Sequence, residues 1–350
     1  MAQVRVALIG CGGISRAHLN GLLAAKDAKV LYCVDVDEAK AKAHAAVVGC
    51  EWSTNYLDIL DKVDAVDICT PPHLHAEMTI QAAQRGKHVI CEKIMARNLD
   101  EAEAMIKAVD DAGIVFMVAF VLRYRRDWQV LHEVCASGRL GRIFQAYVQT
   151  SMFLGRVAPW RTDKEKFPMG AFLSHGCHYV DQFIWNVGEI THASSLSNNF
   201  TFGAQIPGGD DTSVAVFRHE NGAVSSYVES WAIRYPLTSL LFDAYGTDGS
   251  VRLQYHPDGK RTVDVKSGKG AERVFEFDPS KKDQMDVFGG AKDMHGQIAH
   301  FIECVSQKKQ PLTHGREGIK AMQAILAATE AEETNRIVVM KEFLARRRTA

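Results

Sequence analysis

The sequence predicts a doubly wound α/β domain with a parallel sheet over residues 1–122, followed by an α+β domain over residues 123–350. In the first 120 residues, short apolar runs alternate with stretches of helical periodicity. A glycine-rich turn stands between the first apolar run and the first helical stretch. After residue 143, hairpin signals such as Asn221-Gly222 replace that alternation. A chain of 350 residues is long enough for two such domains.

The strands of the first domain are expected to be parallel and buried. Their residues are apolar throughout instead of alternating with polar ones, which is typical of a sheet with both faces covered. Asn98 and Glu101 stand at capping-box spacing before one of the helices. The predicted strands are 4–9, 30–34, 65–70, 88–91 and 115–119, and the predicted helices are 14–25, 38–48, 74–85 and one after Asn98.

The second domain is expected to contain a large, mainly antiparallel and open-faced sheet. A helix over 127–136 opens it, and strand-like runs at 213–218 and 223–231 flank Asn221-Gly222. Asp248-Gly249 and Asp258-Gly259 separate two more pairs of strand-like runs. One long helix is predicted over 319–334.

Composition and charge narrow the class of protein. The formal net charge is −1, so no strong field of one sign favours nucleic acid or an anionic membrane. No apolar run approaches the roughly 18 residues that a membrane helix needs, and the run 4–9 is too short for a signal peptide. The eight cysteines are scattered without a Cys-x-x-Cys pair, which indicates buried thiols in a reducing compartment. We therefore expect a cytoplasmic protein without a metal site.

The glycine-rich turn predicts a binding site for a dinucleotide. Glycines permit a tight turn and a close approach of the backbone to a pyrophosphate, and the following helix N-terminus offers N–H groups to it. The alternative is a tight turn with no ligand. Ser15 stands at the third position of the fingerprint, where glycine or alanine is usual. The turn comprises Gly10, Cys11, Gly12, Gly13, Ile14 and Ser15.

Asp35 follows the second predicted strand, about 25 residues after Gly10. A carboxylate there can accept hydrogen bonds from the adenosine ribose hydroxyls and would repel a 2′-phosphate. The sequence therefore favours NAD, with NADP less likely. Asp37 could share the role, and a solvated loop carboxylate is the alternative.

Two further segments follow strands at the edge where ligands of open α/β sheets bind. Thr70 and Pro71 begin a loop that leads to His75, although the histidines there could instead belong to an exposed helix start. Glu92 and Lys93 follow the fourth predicted strand. The Lys93 ammonium could hold a substrate hydroxyl and favour its alkoxide, and Glu92 could orient that lysine or contact the cofactor.

These motifs, in this order, resemble those of the Gfo/Idh/MocA oxidoreductase family. The family's Glu-Lys-Pro signature reads Glu92-Lys93-Ile94 here. The resemblance implies a Rossmann domain that binds the cofactor. It assigns cofactor contacts to Gly10, Gly12, Gly13, Ile14, Asp35, Thr70, Pro71, His75, Glu92 and Lys93.

The second domain extends the resemblance over nearly the whole chain. His178 matches the family histidine, and Ser174 occupies the position where a catalytic aspartate is usual. A serine hydroxyl can orient the histidine but adds no charge, and the two side chains share a face if the helix is continuous. The resemblance implies catalytic roles for Lys93, His178 and Ser174. It implies a substrate pocket formed by Lys93, Arg123, Tyr124, Trp160, Arg161, His175 and His178.

The expected activity is hydride transfer between a nicotinamide and a secondary hydroxyl of a sugar, glycoside or cyclitol. His178 would be the general base, since imidazole exchanges protons near neutral pH. One alternative is an NAD-dependent glycosidase that oxidises the sugar transiently and eliminates the aglycone. Another is a dinucleotide-binding sensor without turnover. The resemblance also implies a homodimer or homotetramer.

Overall fold

The structure is a computed structural model that describes residues 3–163, 165–167, 170–203, 205–281 and 294–348. The chain divides into two compact units. The first contains the described residues up to Tyr124 together with residues 294–319. The second contains the described residues of 125–281 together with residues 320–348.

The first unit contains a six-stranded parallel sheet, which confirms the predicted doubly wound domain. The strands run in the order β3-β2-β1-β4-β5-β6, so the chain reverses direction across the sheet between β1 and β4. The short strand β3 is absent from the sequence prediction because its residues are mostly exposed and lack an apolar run. Among the described residues the strands are β1 (Val4–Ile9), β2 (Ala28–Val34), β3 (Glu51–Ser53), β4 (Ala65–Ile68), β5 (His88–Cys91) and β6 (Phe116–Val118).

The helices of the first unit lie close to their predicted bounds. Asp37 caps one of them by accepting hydrogen bonds from the backbone N–H groups of Ala39 and Lys40. Asn98 caps another, and its side chain accepts from the backbone N–H of Glu101 at 2.9 Å. These helices are α1 (Ser15–Ala24), α2 (Glu38–Val48), α3 (His75–Gln84) and α4 (Leu99–Ala112).

Residues 294–319 belong to the first unit. The domain boundary predicted from the sequence, at residue 122, assigns these residues to the second domain. The hydroxyl of Thr313 donates to the carbonyl of Val118 at 2.7 Å. A Cβ on Gly21 would lie 2.8 Å from the side chain of Ile298, so helix α8 (His295–Gln307) packs directly on α1. The sequence pattern marks an apolar helical face but does not say which sheet that face will cover.

The second unit contains a nine-stranded, mainly antiparallel sheet, as predicted. One pair is parallel, between β7 and β10, and it lies in the middle of the sheet. The order is β14-β13-β12-β11-β7-β10-β9-β8-β15. Among the described residues these strands are β7 (Ile143–Ser151), β8 (Ile190–Asn198), β9 (Thr212–His219), β10 (Val224–Ser230), β11 (Leu240–Gly246), β12 (Gly249–Tyr255), β13 (Arg261–Ser267), β14 (Gly270–Phe277) and β15 (Val338–Val339).

Helices cover one face of this sheet. Trp128 and Phe183 pack on Phe242 of β11, with ring centroids 5.7 and 5.6 Å apart, and all three side chains are buried. Trp128 and Phe183 lie on two different helices. The helices of this unit are α5 (Arg126–Ala136), α6 (Ala171–Ser174), α7 (Gly176–Asn186), α9 (Gly315–Thr334), which begins in the first unit, and α10 (Met340–Arg348).

Ser174 and His178 lie on two different helices, not on the single continuous helix that would place them on one face. Helix α6 ends at Ser174, His175 lies between the helices, and α7 begins at Gly176. Because the helix is not continuous, the prediction that Ser174 and His178 share a face does not apply. The break is local: the backbone N–H of His178 bonds to the carbonyl of His175 at 3.1 Å, a turn and not an α-helical bond.

The opposite face of the second sheet exposes aliphatic side chains. Val216 of β9 and Val224 of β10 are 52% and 47% exposed, and Ile337 is 68% exposed. They line a groove of about 400 Å³. None of the helices within the described ranges has the length and apolar character needed to cross a bilayer.

Candidate active site

Parallel pairing brings three of the predicted segments to one edge of the first sheet. Ile9, Ile68 and Cys91 are partners across β1, β4 and β5. The residues that follow them, which include Gly10, Thr70 and Lys93, therefore emerge side by side at the carboxyl edge. The segments predicted to bind the cofactor and the substrate hydroxyl therefore lie next to one another at this edge.

The glycine turn has the geometry of a diphosphate cradle. Gly10 has φ of +92°, and a Cβ there would lie 2.9 Å from the carbonyl of Cys69, so only glycine fits. No described atom lies within 4 Å of a Cβ placed on Gly12 or Gly13, which leaves that side of the turn open. Ile14 precedes α1, and no described side chain caps this helix. Its first N–H groups are therefore available to an anion.

Ser15, the departure from the fingerprint, is fully buried. Its hydroxyl donates to the carbonyl of Gly12 at 2.6 Å and lies 3.0 Å from Nε2 of His44 on α2. The serine therefore tightens the turn and joins it to the second helix. These bonds satisfy the hydroxyl without occupying the open side of the turn.

Asp35 braces the turn from the end of β2. One carboxylate oxygen accepts from the backbone N–H of Cys11 at 2.8 Å, and the other from that of Asp37 at 2.9 Å. Each carboxylate oxygen has a further lone pair, so these bonds leave capacity for a ribose hydroxyl. Asp37 itself is occupied as the cap of α2.

His75 holds two loops of the carboxyl edge together. Its side chain is fully buried, with Nε2 2.8 Å from the carbonyl oxygen of Thr70 and Nδ1 2.8 Å from that of Ile94. Burial lowers the pKa of His75, although the two carbonyl oxygens oppose that shift. The side chain is thus occupied in fixing the Thr70-Pro71 loop and the segment after Lys93. The Lys93–Ile94 peptide bond is cis.

Behind Lys93 lies a buried network that the sequence reasoning missed. Nδ1 of His18 lies 2.9 and 3.0 Å from the two carboxylate oxygens of Asp67, and Nε2 lies 2.9 Å from Oε1 of Glu92. Oε2 of Glu92 accepts from the backbone N–H of Lys93 at 3.1 Å. Glu92 is thus bonded on both oxygens inside the protein. Asp67, the one charged residue of the apolar strand β4, is the feature of the sequence that could have indicated this network.

Charge stabilises this network. Burial is the largest single influence on His18 and would lower its pKa, but the charge and hydrogen bond of Asp67, together with the contribution of Cys69, outweigh burial, and the pKa lies well above its ordinary value. Burial is the largest single influence on Glu92 and would raise its pKa, but the hydrogen bond from His18 and the nearby positive charges of His18 and Lys93 together outweigh burial, and the pKa is lowered. The network therefore holds an imidazolium between two carboxylates.

Arg123 and Tyr124, predicted to shape the substrate pocket, lie in the first unit. The Arg123 side chain is 2% exposed and lies 3.8 Å from the carboxylate of Glu317. The hydroxyl of Tyr124 lies 3.1 Å from that of Thr313, and its ring contacts His300 at a centroid distance of 5.3 Å. Both side chains are thus engaged with the returning segment 294–319.

Trp160 and Arg161 form an aromatic cluster in the second unit. The Arg161 guanidinium lies 4.8 Å from the ring of Trp160, 5.2 Å from that of Trp231 and 5.8 Å from that of Phe167. Burial lowers the pKa of Arg161. Phe167 and Trp231 are buried in an apolar core cluster of this unit, whereas Trp160 and Arg161 are half-buried at its edge.

His175 and His178 lie together, with ring centroids 6.3 Å apart and nearly perpendicular planes. Both are partly exposed, whereas Ser174 is buried. Nδ1 of His175 lies 2.6 Å from Oε1 of Glu229, a buried carboxylate on β10. Sequence reasoning missed Glu229, because a single glutamate within a hairpin strand carries no motif.

The fold and these residues define a class. A doubly wound domain with an open glycine turn, an uncapped helix start and a carboxylate at the end of β2 fits a dinucleotide. The second unit adds imidazoles and a carboxylate suited to proton transfer. The chain is therefore a dinucleotide-dependent oxidoreductase of two domains.

Comparison with known proteins identifies the family. Residues 4–120 match the model of the oxidoreductase family with an NAD-binding Rossmann fold, and residues 128–252 match that of the Gfo/Idh/MocA C-terminal domain. The chain belongs to the Gfo/Idh/MocA oxidoreductase family, which confirms the resemblance.

Several relatives are similar over most of their length. Levoglucosan dehydrogenase of Pseudarthrobacter phenanthrenivorans is 30% identical, over 79% of this chain and 80% of that protein. The 1,5-anhydro-D-fructose reductase of Ensifer adhaerens is 26% identical, over 94% of this chain and 96% of that protein. A structure of levoglucosan dehydrogenase with NADH and levoglucosan has the same fold, with a TM-score of 0.86 at 24% identity over 97% and 99% of the two chains.

Proposed function

We propose that the protein oxidises a secondary hydroxyl of a sugar, glycoside or cyclitol with NAD, or catalyses the reverse reduction. The observation that carries the proposal is the alignment of the open glycine turn, Asp35 and Lys93 at one sheet edge. The names of the relatives support the substrate class, since they act on levoglucosan, anhydrofructose and myo-inositol.

The residues have distinct roles in this proposal. Gly12, Gly13 and the start of α1 hold the diphosphate, and Asp35 holds the adenosine ribose. Thr70 and Pro71 line the nicotinamide half of the site. When bound, the nicotinamide exchanges hydride with the carbinol carbon.

The chemistry at the hydroxyl falls to Lys93 and an imidazole. The Lys93 ammonium donates to the hydroxyl oxygen and stabilises its developing negative charge. The proton passes to an imidazole near the break between α6 and α7, and the family pattern favours His178 in the first turn of α7. Ser174 orients that segment, and Trp160 and Arg161 contact the sugar.

A screen of inositols, free sugars and glycosides, run in parallel with NAD and NADP, tests the proposal. We expect reduced nicotinamide to accumulate with at least one polyol, and at least tenfold higher kcat/KM with NAD. The reason is that the Asp35 carboxylate repels a 2′-phosphate. Release of an aglycone without net NADH would identify a glycosidase instead. Binding of NAD by calorimetry with no turnover across the panel would contradict the enzymatic proposal.

The exposed sheet face supports a homodimer or homotetramer. Val214, Val216 and Val224 project from β9 and β10 on the face that the helices do not cover. An exposed aliphatic face of this kind is typical of a protein interface. Burying it against a second copy would remove these side chains from water.

Val216→Lys is expected to convert the oligomer to monomer, because it places a charge in that apolar contact. Light scattering at micromolar concentration measures the mass. Leu237→Lys is the matched control, since Leu237 is 96% exposed in the loop before β11. A monomeric wild-type protein, or a variant of unchanged mass, would contradict this proposal.

A further inference from the structure

His175 and Glu229 form a carboxylate–imidazole pair whose geometry suits a general base. Nδ1 of His175 lies 2.6 Å from Oε1 of Glu229. The Glu229 side chain is completely buried, whereas the His175 side chain is 25% exposed. One end of the imidazole is thus anchored inside the protein and the other is near solvent.

The Glu229 carboxylate determines which ring nitrogen of His175 carries the proton. An ionised carboxylate only accepts hydrogen bonds, so Nδ1 of His175 must be the donor. In the neutral imidazole, Nε2 then holds the lone pair. The hydroxyl of Tyr179 lies 3.4 Å from Nε2, a long contact that engages this nitrogen only weakly.

The rest of the pocket holds Glu229 in position. The hydroxyl of Tyr227, two residues earlier on β10 and on the same strand face, donates to Oε2 of Glu229. A Cβ on Gly176 would lie 2.7 Å from that hydroxyl, so glycine at the start of α7 admits the tyrosine. The break between α6 and α7 therefore turns His175 toward a carboxylate already fixed by the sheet.

We propose that His175 is the general base of the proposed oxidoreductase and that Glu229 supplies the carboxylate that the family pattern places at position 174. The inference rests on the proposed function. The O–H bond of the carbinol breaks and its proton moves to Nε2 of His175, while the C–H bond breaks and its electron pair leaves with the hydrogen as hydride to the nicotinamide. The alcohol becomes a carbonyl and NAD becomes NADH. His178, 6.3 Å away between ring centroids, then contacts the substrate without taking the proton.

His175→Gln and Glu229→Gln test this assignment with the best substrate of the screen. We expect His175→Gln to lower kcat by about 10²-fold or more, the range for losing a general base, with unchanged NAD affinity. Glu229→Gln should also lower kcat, because a neutral amide can either donate or accept and no longer requires the proton to sit on Nδ1 of His175. His178 and Tyr179, which contact the His175 ring, and Tyr227, which contacts Glu229, are unchanged in both variants.

The control is Glu220→Gln, an exposed carboxylate in the turn that leads into β10, which should keep wild-type kinetics. Circular dichroism checks folding, and the partly exposed His175 gives an interpretable variant if the buried Glu229→Gln does not fold. If the wild type turns over but both variants stay within threefold of it while His178→Gln loses activity, His178 is the base and this inference is wrong. If the wild type binds NAD but oxidises nothing, the proposed function fails first. Imidazole ¹⁵N spectra still report whether Glu229→Gln removes the Nδ1–H tautomer of His175.

Discussion

Lys93→Met is expected to lower kcat/KM by about 10³-fold, because it removes the charge that stabilises the developing alkoxide. Methionine keeps the length and apolar character of the side-chain stem, so the change acts mainly through the ammonium. The backbone N–H of Lys93 still bonds to Glu92, and the loop should keep its place. Steady-state kinetics with the best polyol measures the loss.

The affinity for NAD separates catalysis from cofactor binding in this variant. Calorimetry should give a Kd within a few-fold of the wild type, since the diphosphate and ribose contacts are assigned to other residues. Lys107→Met is the matched control, because Lys107 is 76% exposed on α4 and should be neutral. Retention of more than a tenth of the activity would sink the role of Lys93.

His18→Gln is expected to destabilise the first unit by about 3–5 kcal/mol, because it leaves two buried carboxylates without their cation. His18 and Asp67 are completely buried, and Glu92 is 7% exposed. Hydrogen exchange of the β1 and β4 amides measures the opening free energy of this unit specifically. Asp64→Asn, which breaks the exposed pair with Arg5, should cost less than about 1 kcal/mol.

The stabilisation by this network has a definite pH window. The pKa of His18 is raised in the folded state, so its contribution is complete below the unfolded pKa and is lost as pH rises through the folded value. The pKa of Glu92 is lowered, so its contribution is complete above the unfolded pKa and is lost as pH falls through the folded value. The cost of His18→Gln should therefore be largest in weakly acidic solution. A loss no greater than that of Asp64→Asn at every pH would contradict a charged network.

Much of the first unit could be predicted because its signals are local. Uniform apolar runs mark the buried parallel strands, and Asp37 and Asn98 mark helix starts through bonds to residues two or three positions away. The glycine turn is equally local, since the φ of Gly10 and its contact with Cys69 exclude any side chain. Interactions between residues that are close in the sequence produce patterns that can be recognised without a structure.

Side-chain partners distant in the sequence were not predictable. His18 reads as one more position of an amphipathic helix, yet its partners lie 49 and 74 residues away. His75 reads as a ligand-facing residue, yet both ring nitrogens are bonded to backbone carbonyl groups. Arg123 and Tyr124 read as pocket residues, yet they contact a segment nearly 190 residues further along the chain.

The class of fold, the family and the strand ends that carry Lys93 and the glycine turn could all be read from the amino-acid sequence. It marked Ser174 as a departure from the family pattern but offered no replacement for the missing charge. The position of Glu229 on β10 beside His175, 54 residues away in the chain, became visible only in the folded protein. A buried carboxylate is stable only with partners, and the packing of the α6–α7 segment on the sheet, not proximity in the sequence, brings His175 to this one.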